Sequence, residues 1–337
     1  MANLLLTRRC VRTCPYCFAR DHMSTNDLHA EVSWEDLIYV VDFFESSGEK
    51  RLSLLGGEPL LHRHFPDMVL YLLQRGFQVT VFTSAAIPQE LTDSLRHFLP
   101  TDPEIPLDFV CNLNEPTLSP KKENECVEYF LEQFGTKCGP GFNIYRPDFD
   151  LTFLFDLVNR YGLKRHLRLG LAAPIPGADN QCLSISSIRP AMKRLLSFSE
   201  DFARNRLQIG LDCGFTLCSF TDEELGKLFK ISSPLNFGCG PAIDIGPDMM
   251  VWSCFPLSRL APRSLYEFSS LEELLDHFRS QMNDIRAEAG GIHYECDECQ
   301  QREIKRCEGG CAAHILKAMK DEPFIRLPEI NKCLQNL

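Results

Sequence analysis

Three cysteines near the start of the chain have a spacing that suits a catalytic metal centre. Cys10, Cys14 and Cys17 form a C-x3-C-x2-C pattern. A cluster of four irons is held by four protein thiolates, so three thiolates in one loop would leave one iron without a protein ligand. An open coordination position distinguishes catalytic metal sites from structural ones. A zinc site or a chance spacing is the alternative interpretation of this pattern alone.

A second set of cysteines lies in the last third of the chain. It consists of Cys239, Cys254, Cys296, Cys299, Cys307, Cys311 and Cys333. From Cys296 to Cys311 the spacing is C-x2-C-x7-C-x3-C, for which a zinc knuckle is an open alternative. Cys213 and Cys218 precede the set, but a small buried apolar residue is the commoner role of such a cysteine. No ligand spacing includes Cys111, Cys126, Cys138 or Cys182.

The cysteine count and the charge exclude several classes of protein. The chain has 16 cysteines in 337 residues, yet only three leucines precede Arg8, too few for the apolar region of a secretory signal. No run approaches the roughly 20 apolar residues that span a membrane. We therefore expect a cytoplasmic protein whose clustered cysteines bind metal. The net charge of −11 predicts neither a nucleic-acid nor a membrane partner.

Strand-like and helix-like segments alternate through the first two-thirds of the chain. The predicted strands are residues 4–6, 52–55, 79–82, 107–113, 142–145 and 167–171. The predicted helices follow Ser33 and cover residues 67–74, 89–98, 149–161 and 185–204. Six strand-helix units predict an α/β fold with a parallel sheet and right-handed crossovers. This is a partial (β/α)6 barrel, two units short of a TIM barrel.

The pattern changes after about residue 205. Cysteine, glycine and proline become frequent and the apolar residues lose their periodicity. We therefore predict a barrel domain over residues 1–204 and a small cysteine-rich iron-sulfur domain over residues 205–337. The second domain is expected to have too thin an apolar core to fold without its metal.

The chain resembles the radical S-adenosylmethionine (SAM) superfamily over essentially its whole length. The resemblance rests on two motifs, whose residues are Cys10, Cys14, Tyr16 and Cys17, then Gly56, Gly57, Glu58 and Pro59. In that family the three cysteines hold a [4Fe-4S] cluster and SAM chelates the open iron. The Gly-Gly-Glu-Pro stretch binds the methionine amine. Paired glycines allow a close backbone approach, and Glu58 would offer its carboxylate to the ammonium group.

The resemblance also places polar residues beside SAM at the ends of the later strands. Ser84 ends the third strand, and Asn112 and Asn114 end the fourth, where relatives contact the ribose. Asn143 and Arg146 close the fifth strand, and Arg146 could pair with the SAM carboxylate. A capping or turn role is the alternative for each of these residues.

The order of the seven later cysteines resembles the SPASM extension of radical SAM enzymes that modify peptides and proteins. That extension carries two auxiliary [4Fe-4S] clusters. The resemblance implies one cluster on Cys296, Cys299, Cys307 and Cys333, and another to which Cys239, Cys254 and Cys311 contribute. The further cysteine that often precedes these three is absent, because Ser232 and Ser233 occupy its place. That cluster would keep an open iron or recruit Cys213 or Cys218.

The resemblance implies a radical SAM enzyme that forms a 5′-deoxyadenosyl radical and abstracts a hydrogen from its substrate. The leading expectation is oxidative modification of a peptide or protein, such as a thioether or carbon-carbon crosslink. An auxiliary cluster would accept an electron or bind the substrate, and a reductant such as flavodoxin or ferredoxin would be a partner. Asp212 is a candidate acid or base, although a structural salt bridge explains it equally well.

Two other functions remain open at this point. The same radical chemistry could act on a small molecule such as an amino sugar or amino acid, because only nine residues precede Cys10 and leave no upstream peptide-binding domain. The other open function is that of a non-catalytic iron-sulfur protein that acts in electron transfer or in assembly. Formylglycine formation is disfavoured, because Phe255 follows Cys254 where sulfatase-maturing relatives have an aspartate base.

Overall fold

A computed structural model describes residues 2–23, 30–239 and 242–321 of the chain. Cys333, predicted as a cluster ligand, lies outside these residues. No disulfide bond joins cysteines within the described parts. None of the helices in these parts is long and apolar enough to cross a membrane.

Ten strands form a single sheet in the order β10-β9-β8-β1-β2-β3-β4-β5-β6-β7. The strands are β1 (Ala2–Leu5), β2 (Arg51–Leu55), β3 (Gln78–Thr83), β4 (Leu107–Asn112), β5 (Cys138–Ile144), β6 (His166–Leu171), β7 (Gln208–Leu211), β8 (Ile243–Ile245), β9 (Met250–Trp252) and β10 (Arg263–Ser264). Strands β1 to β7 are parallel, and β8 runs parallel to β1. Strands β9 and β10 are antiparallel to their neighbours. The predicted α/β fold with a parallel sheet is confirmed.

Helices connect the parallel strands and continue after β10. They are α1 (Trp34–Ser46), α2 (Phe65–Gln74), α3 (Gln89–Phe98), α4 (Lys121–Phe134), α5 (Thr152–Tyr161), α6 (Ile185–Leu196), α7 (Ser199–Arg204), α8 (Asp222–Ile231), α9 (Leu271–Ala289), α10 (Gln300–Glu303) and α11 (Ala312–Asp321). Ser33 caps α1 as its sequence predicts, since its hydroxyl accepts a hydrogen bond from the Asp36 backbone.

Alternate residues of each strand face the helices. On β4, the ring of Phe109 packs 5.5 Å from Phe130 and 5.2 Å from Phe134 of α4. Burying each ring stabilises the fold by about 1.5–3 kcal/mol. Helix α4 was missed in the sequence, although Val127, Phe130, Leu131 and Phe134 have the spacing of one helical face.

The sheet continues past the predicted domain boundary at residue 204, because β7 to β10 belong to it. The division into residues 1–204 and 205–337 stays a prediction, and the part after residue 205 adds to the apolar core. Leu265, Leu274 and Phe278 are fully buried and join the same apolar core as the barrel strands. Leu274, Phe278 and Met282 follow the period of one face of α9, a 19-residue helix that sequence analysis overlooked.

The parallel sheet is open between β7 and β8. Among the described residues, β7 pairs within the sheet only with β6, whereas β8 pairs with β1 and β9. The two edges nevertheless approach each other, since burial raises the pKa of Asp244 on β8 and the charge of Asp212 after β7 adds to the rise. The sheet is therefore a partial barrel with one unpaired seam.

Candidate functional site

The loop after β1 brings three thiols together. The Cys17 backbone donates to the Cys14 carbonyl over 3.1 Å, and the Arg12 backbone donates to the Cys10 sulfur over 3.4 Å. Burial raises the pKa of the Cys10 thiol to about 11, and the charges of Glu58, Cys14 and Cys17 contribute to the rise. Thiols in such surroundings stay protonated unless a metal ion provides compensating charge.

The Gly-Gly-Glu-Pro stretch after β2 lies directly against this loop. The Gly57 backbone donates to the Thr7 carbonyl over 2.8 Å, and the Glu58 backbone donates to the Arg9 carbonyl over 2.7 Å. A Cβ atom on Gly56 would come within 2.6 Å of the Thr7 carbonyl oxygen. Both glycines are thus required by the close passage of two backbones, and Pro59 begins the short helical turn that follows.

Glu58 is fully buried between β2 and β3, and burial raises the pKa of its carboxyl group. One carboxylate oxygen accepts from the Thr83 hydroxyl over 2.7 Å and from the Leu60 backbone over 3.4 Å. The other accepts from the Ser84 hydroxyl and backbone over 2.5 and 2.8 Å. These bonds use all four lone-pair sites of the carboxylate. The expected contact between Glu58 and a ligand ammonium group would therefore have to replace one of these hydrogen bonds.

Tyr16 connects the cysteine loop to the ends of β4 and β5. Its hydroxyl donates to Asn114 Oδ1 over 2.6 Å, and its ring stacks on Tyr145 with the centroids 4.9 Å apart. Burial raises the pKa of the Tyr16 hydroxyl. The tyrosine therefore positions the loop against the strand ends that were predicted to contact SAM.

Asn112 and Asn143 point across glycines of the neighbouring strands. A Cβ atom on Gly141 would lie 2.9 Å from Asn112 Oδ1, and one on Gly170 would lie 2.7 Å from Asn143 Oδ1. Asn112 Oδ1 is buried and has no hydrogen-bond partner in the structure. An unpaired buried acceptor is costly, so a donor such as a ligand hydroxyl suits this position.

Arg146 and Asp212 are both engaged by protein partners. Arg146 pairs with Glu115 over 2.6 Å and with Asp148 over 2.8 Å, so its predicted pairing with the SAM carboxylate would compete with these bonds. Asp212 pairs with Arg168 of β6, as its alternative structural role requires. The Arg168 guanidinium also lies 5.2 Å from the centroid of the Phe82 ring.

Asp244 is a buried carboxyl that sequence analysis missed. Asn3 Nδ2 donates to it over 2.6 Å, and burial raises the pKa of Asp244 to about 7. In the strand register Asp244 lies beside Asn3, which lies beside Ser53. Its position between Ile243 and Ile245 was the available signal, because alternation turns a polar residue to the opposite face from its apolar neighbours.

Among the described residues, the charges of the later cysteines act on one another in two groups. Burial raises the pKa of Cys254, and the charges of Cys311, Cys239 and Cys213 add to the rise. Burial likewise raises the pKa of Cys296, with contributions from Cys218, Cys307 and Cys299. The first group is therefore Cys213, Cys239, Cys254 and Cys311, and the second is Cys218, Cys296, Cys299 and Cys307.

In the described parts of the chain, no three His, Cys, Asp or Glu side chains are close enough to hold one metal ion. Around a single zinc ion every thiolate lies within about 2.3 Å of the same atom. In a four-iron cluster each thiolate binds a different iron, so the sulfurs stand further apart.

The other cysteines lie elsewhere: Cys111 and Cys138 are core residues, and Cys126 and Cys182 are partly buried.

Residues 4–133 match the model of the Radical SAM superfamily. This part of the chain is therefore similar to the radical SAM domain. Among curated proteins, the chain is 32% identical over 87 residues to an S-adenosylmethionine-dependent nucleotide dehydratase of Selenomonas ruminantium, covering 25% of this chain and 30% of that protein. It is 24% identical over 258 residues to an Fe-coproporphyrin III synthase of Methanosarcina barkeri, covering 72% and 64%. The chain thus spans less than two-thirds of either relative's length.

Two solved structures share the fold. SuiB of Streptococcus suis bound to S-adenosylmethionine has a TM-score of 0.66 at 15% identity, covering 94% of this chain and 73% of SuiB. Native anSMEcpe with bound AdoMet has a TM-score of 0.61 at 16% identity, covering 100% of both chains. At these identities the likeness shows a common fold.

The family implies a [4Fe-4S] cluster and SAM, and the residues of this chain fit both groups. Three thiols lie in the loop after β1, and the charges of Cys14 and Cys17 act on Cys10. The backbone of Gly56 and Gly57 lies directly against that loop. Asn112 Oδ1 is an unpaired buried acceptor at the end of β4. The chain thus has a thiolate set for the cluster and a polar atom for a ligand hydroxyl.

Proposed function

We propose that the protein is a radical SAM enzyme that oxidatively modifies a side chain of a peptide or protein. The observation that carries the proposal is the contact between two motifs, in which Gly57 and Glu58 bond to the backbone of the loop that bears Cys10, Cys14 and Cys17. When bound there, the reduced cluster and SAM supply a radical that abstracts an unactivated hydrogen atom. The protein binds, orients and excludes water.

The chain's own residues have separable roles in this proposal. Glu58, held by Thr83 and Ser84, fixes the ends of β2 and β3 against each other. Tyr16 holds the cysteine loop to Asn114. Asn112 offers its free Oδ1 to a ribose hydroxyl. These contacts set the position of SAM relative to the barrel interior, which determines the hydrogen that is removed.

The two groups of later thiols support an oxidative reaction. In the proposal they hold two auxiliary clusters, with Cys333 as a further candidate for the second. A cluster held there would supply an acceptor for one electron from the substrate radical, and a flavodoxin or ferredoxin would supply reducing electrons to the enzyme. The cysteine order supports a peptide substrate, as does the fold shared with SuiB, which has been solved bound to its precursor peptide SuiA.

The test uses protein reconstituted anaerobically with iron and sulfide. It is reduced and incubated with SAM and with a peptide encoded beside the gene. We expect deoxyadenosine together with a peptide lighter by one pair of hydrogen atoms for each crosslink. Deoxyadenosine without any change in peptide mass would contradict the peptide substrate, and iron without SAM cleavage would contradict the enzyme.

A second candidate is the same chemistry on a small carboxylate-bearing molecule such as an amino acid. Arg168 is a candidate partner for the substrate carboxylate, and that pairing would compete with its present ion pair to Asp212. The likeness to the Fe-coproporphyrin III synthase over 72% of the chain also favours a small molecule. Turnover in the absence of any peptide distinguishes this candidate from the first.

A further inference from the structure

The segment after β7 passes directly over Cys311. A Cβ atom on Gly214 would lie 3.5 Å from the Cys311 Cβ, and Gly214 has a φ of +98° that side chains rarely adopt. Gly214 therefore lets the backbone that carries Cys213 approach the start of α11. Cys254 packs against the apolar cluster that contains Cys311, Ala173 and Leu257. Three of the later cysteines thus meet at one place.

Cys239 is held at the same place by a network around Glu308. The Cys239 backbone donates to Glu308 Oε2 over 2.5 Å, and the Glu308 backbone donates to the Phe237 carbonyl over 3.3 Å. Arg286 donates to the carbonyls of Glu308 and Gly310, the latter over 3.0 Å. The loop before Cys239 is therefore fixed to the segment that leads into Cys311.

The charges of these thiols act on one another. Burial, then Asp212, then Cys311 and Cys239 raise the pKa of the Cys213 thiol. The Cys213 side chain is nevertheless accessible to solvent.

Cys218 belongs to the other group. Its thiol donates to the Thr216 hydroxyl over 3.3 Å, and it affects the pKa of Cys296. Thr216 is buried, and its methyl group lies 3.2 Å from a Cβ position on Gly310. Gly214 thus brings the backbone of Cys213 to Cys311, whereas Cys218 turns back onto Thr216. Of these two cysteines, Cys213 is therefore the one placed beside the group of Cys239, Cys254 and Cys311.

We propose that Cys213 is the fourth thiolate ligand of an auxiliary [4Fe-4S] cluster held by Cys239, Cys254 and Cys311. This assignment rests on the proposed function, from which the auxiliary cluster comes. With four protein thiolates, every iron of that cluster has a protein ligand. The substrate then has no iron to bind, and the cluster acts in electron transfer.

The experiment uses a reconstituted parent protein with Cys10→Ala, Cys14→Ala and Cys17→Ala, which lacks the SAM-binding cluster. This parent is compared with the same protein carrying Cys213→Ala or Cys213→Ser in addition. Iron content, Mössbauer spectra and EPR spectra are recorded with and without cyanide. For Cys213→Ala we expect a three-iron signal, or a four-iron signal that changes with cyanide. Cys213→Ser should keep four irons with a shifted spectrum, because a hydroxyl can replace the thiol as a ligand.

Three control variants, Cys126→Ala, Cys182→Ala and Cys218→Ala, should leave the spectrum of this cluster unchanged. A Cys213→Ala spectrum identical to that of the parent, and insensitive to cyanide, would overturn the assignment while leaving the auxiliary clusters in place. Absence of iron from the parent background would overturn both the assignment and the auxiliary clusters of the proposed function. Circular dichroism of each variant checks that the fold is retained.

Discussion

The rings of Phe18 and Phe255 lie in contact, with their centroids 5.8 Å apart. Phe18 follows Cys17 and Phe255 follows Cys254, so the contact joins a residue beside each of two proposed metal centres. His22 strengthens the junction by stacking on Trp252 at 4.9 Å. A change at this contact should therefore alter the relative position of the two centres.

Replacing Phe255 by alanine should destabilise the protein. Phe255 is 4% exposed, and removal of a buried phenyl ring costs about 3–5 kcal/mol. Chemical unfolding of the reconstituted protein measures the loss. The matched control is Phe229→Ala, since Phe229 is 60% exposed and its removal should change stability by less than about 0.5 kcal/mol. Equal effects of the two substitutions would show that the junction contributes no packing energy.

Replacing Cys14 by alanine should abolish SAM cleavage while the auxiliary iron remains. The physical reason is that Cys14 lies with Cys10 and Cys17 in the loop after β1, whereas the later thiols interact in two other groups. Iron analysis should fall from about twelve to about eight atoms per chain, the difference being one four-iron cluster. Cys126→Ala should change neither quantity. Loss of all iron from Cys14→Ala would be inconsistent with independent metal sites.

Asp244 should make the protein less stable as the pH rises toward 7. Its pKa is raised to about 7 in the fold, from an ordinary value of 3.8, so the folded state holds the proton more tightly than the unfolded state. The stabilisation is complete below pH 4 and is lost as the pH rises to 7. Unfolding of wild type and Asp244→Asn at pH 5 and pH 7 measures this, and only wild type should weaken between these values.

The control for this pH dependence is Asp67→Asn, which changes an exposed carboxyl. Asp67→Asn should keep the decline in stability that wild type shows between pH 5 and pH 7. If Asp244→Asn also keeps the full decline, another group is responsible for it.

Replacing Asn112 by alanine should weaken SAM binding by up to about tenfold. One neutral hydrogen bond contributes about 0.5–1.5 kcal/mol, and tenfold in affinity corresponds to about 1.4 kcal/mol. Equilibrium binding of SAM to the reconstituted protein measures the effect. The exposed Asn159 provides the control, because Asn159→Ala changes an amide on the outer face of α5. Unchanged affinity for Asn112→Ala would exclude a contact between its Oδ1 and SAM.

The contact between the cysteine-containing motif and the glycine-containing motif follows from a general rule of parallel sheets. Carboxyl ends of neighbouring parallel strands lie on the same side of a sheet, so Cys10 and Gly57 must come close once β1 and β2 pair. The same rule could not predict the hydrogen-bond partners of Glu58. Its bonds to Thr83 and Ser84 depend on the residue at which β3 ends.

The separation of Cys213 from Cys218 could not be derived from spacing. Only four residues lie between them, and the turn that divides them depends on the approach of Gly214 to Cys311 and of Thr216 to Gly310. These are contacts between segments about 95 residues apart in sequence, which local patterns do not encode. The buried Asp244 was missed for a related reason, because β8 becomes a barrel strand only by pairing with β1.

Because β7 and β8 do not pair, a cluster bound by Cys213 and its neighbouring cysteines would have a structural role. Cys213 follows β7 on one side of the seam, and Cys254 follows β9, which pairs with β8 on the other. A cluster bound by both cysteines would cross-link the two edges, so that metal-sulfur bonds replace the missing backbone ladder. Loss of iron would then remove this cross-link, and β7 would be held to the sheet only through its pairing with β6.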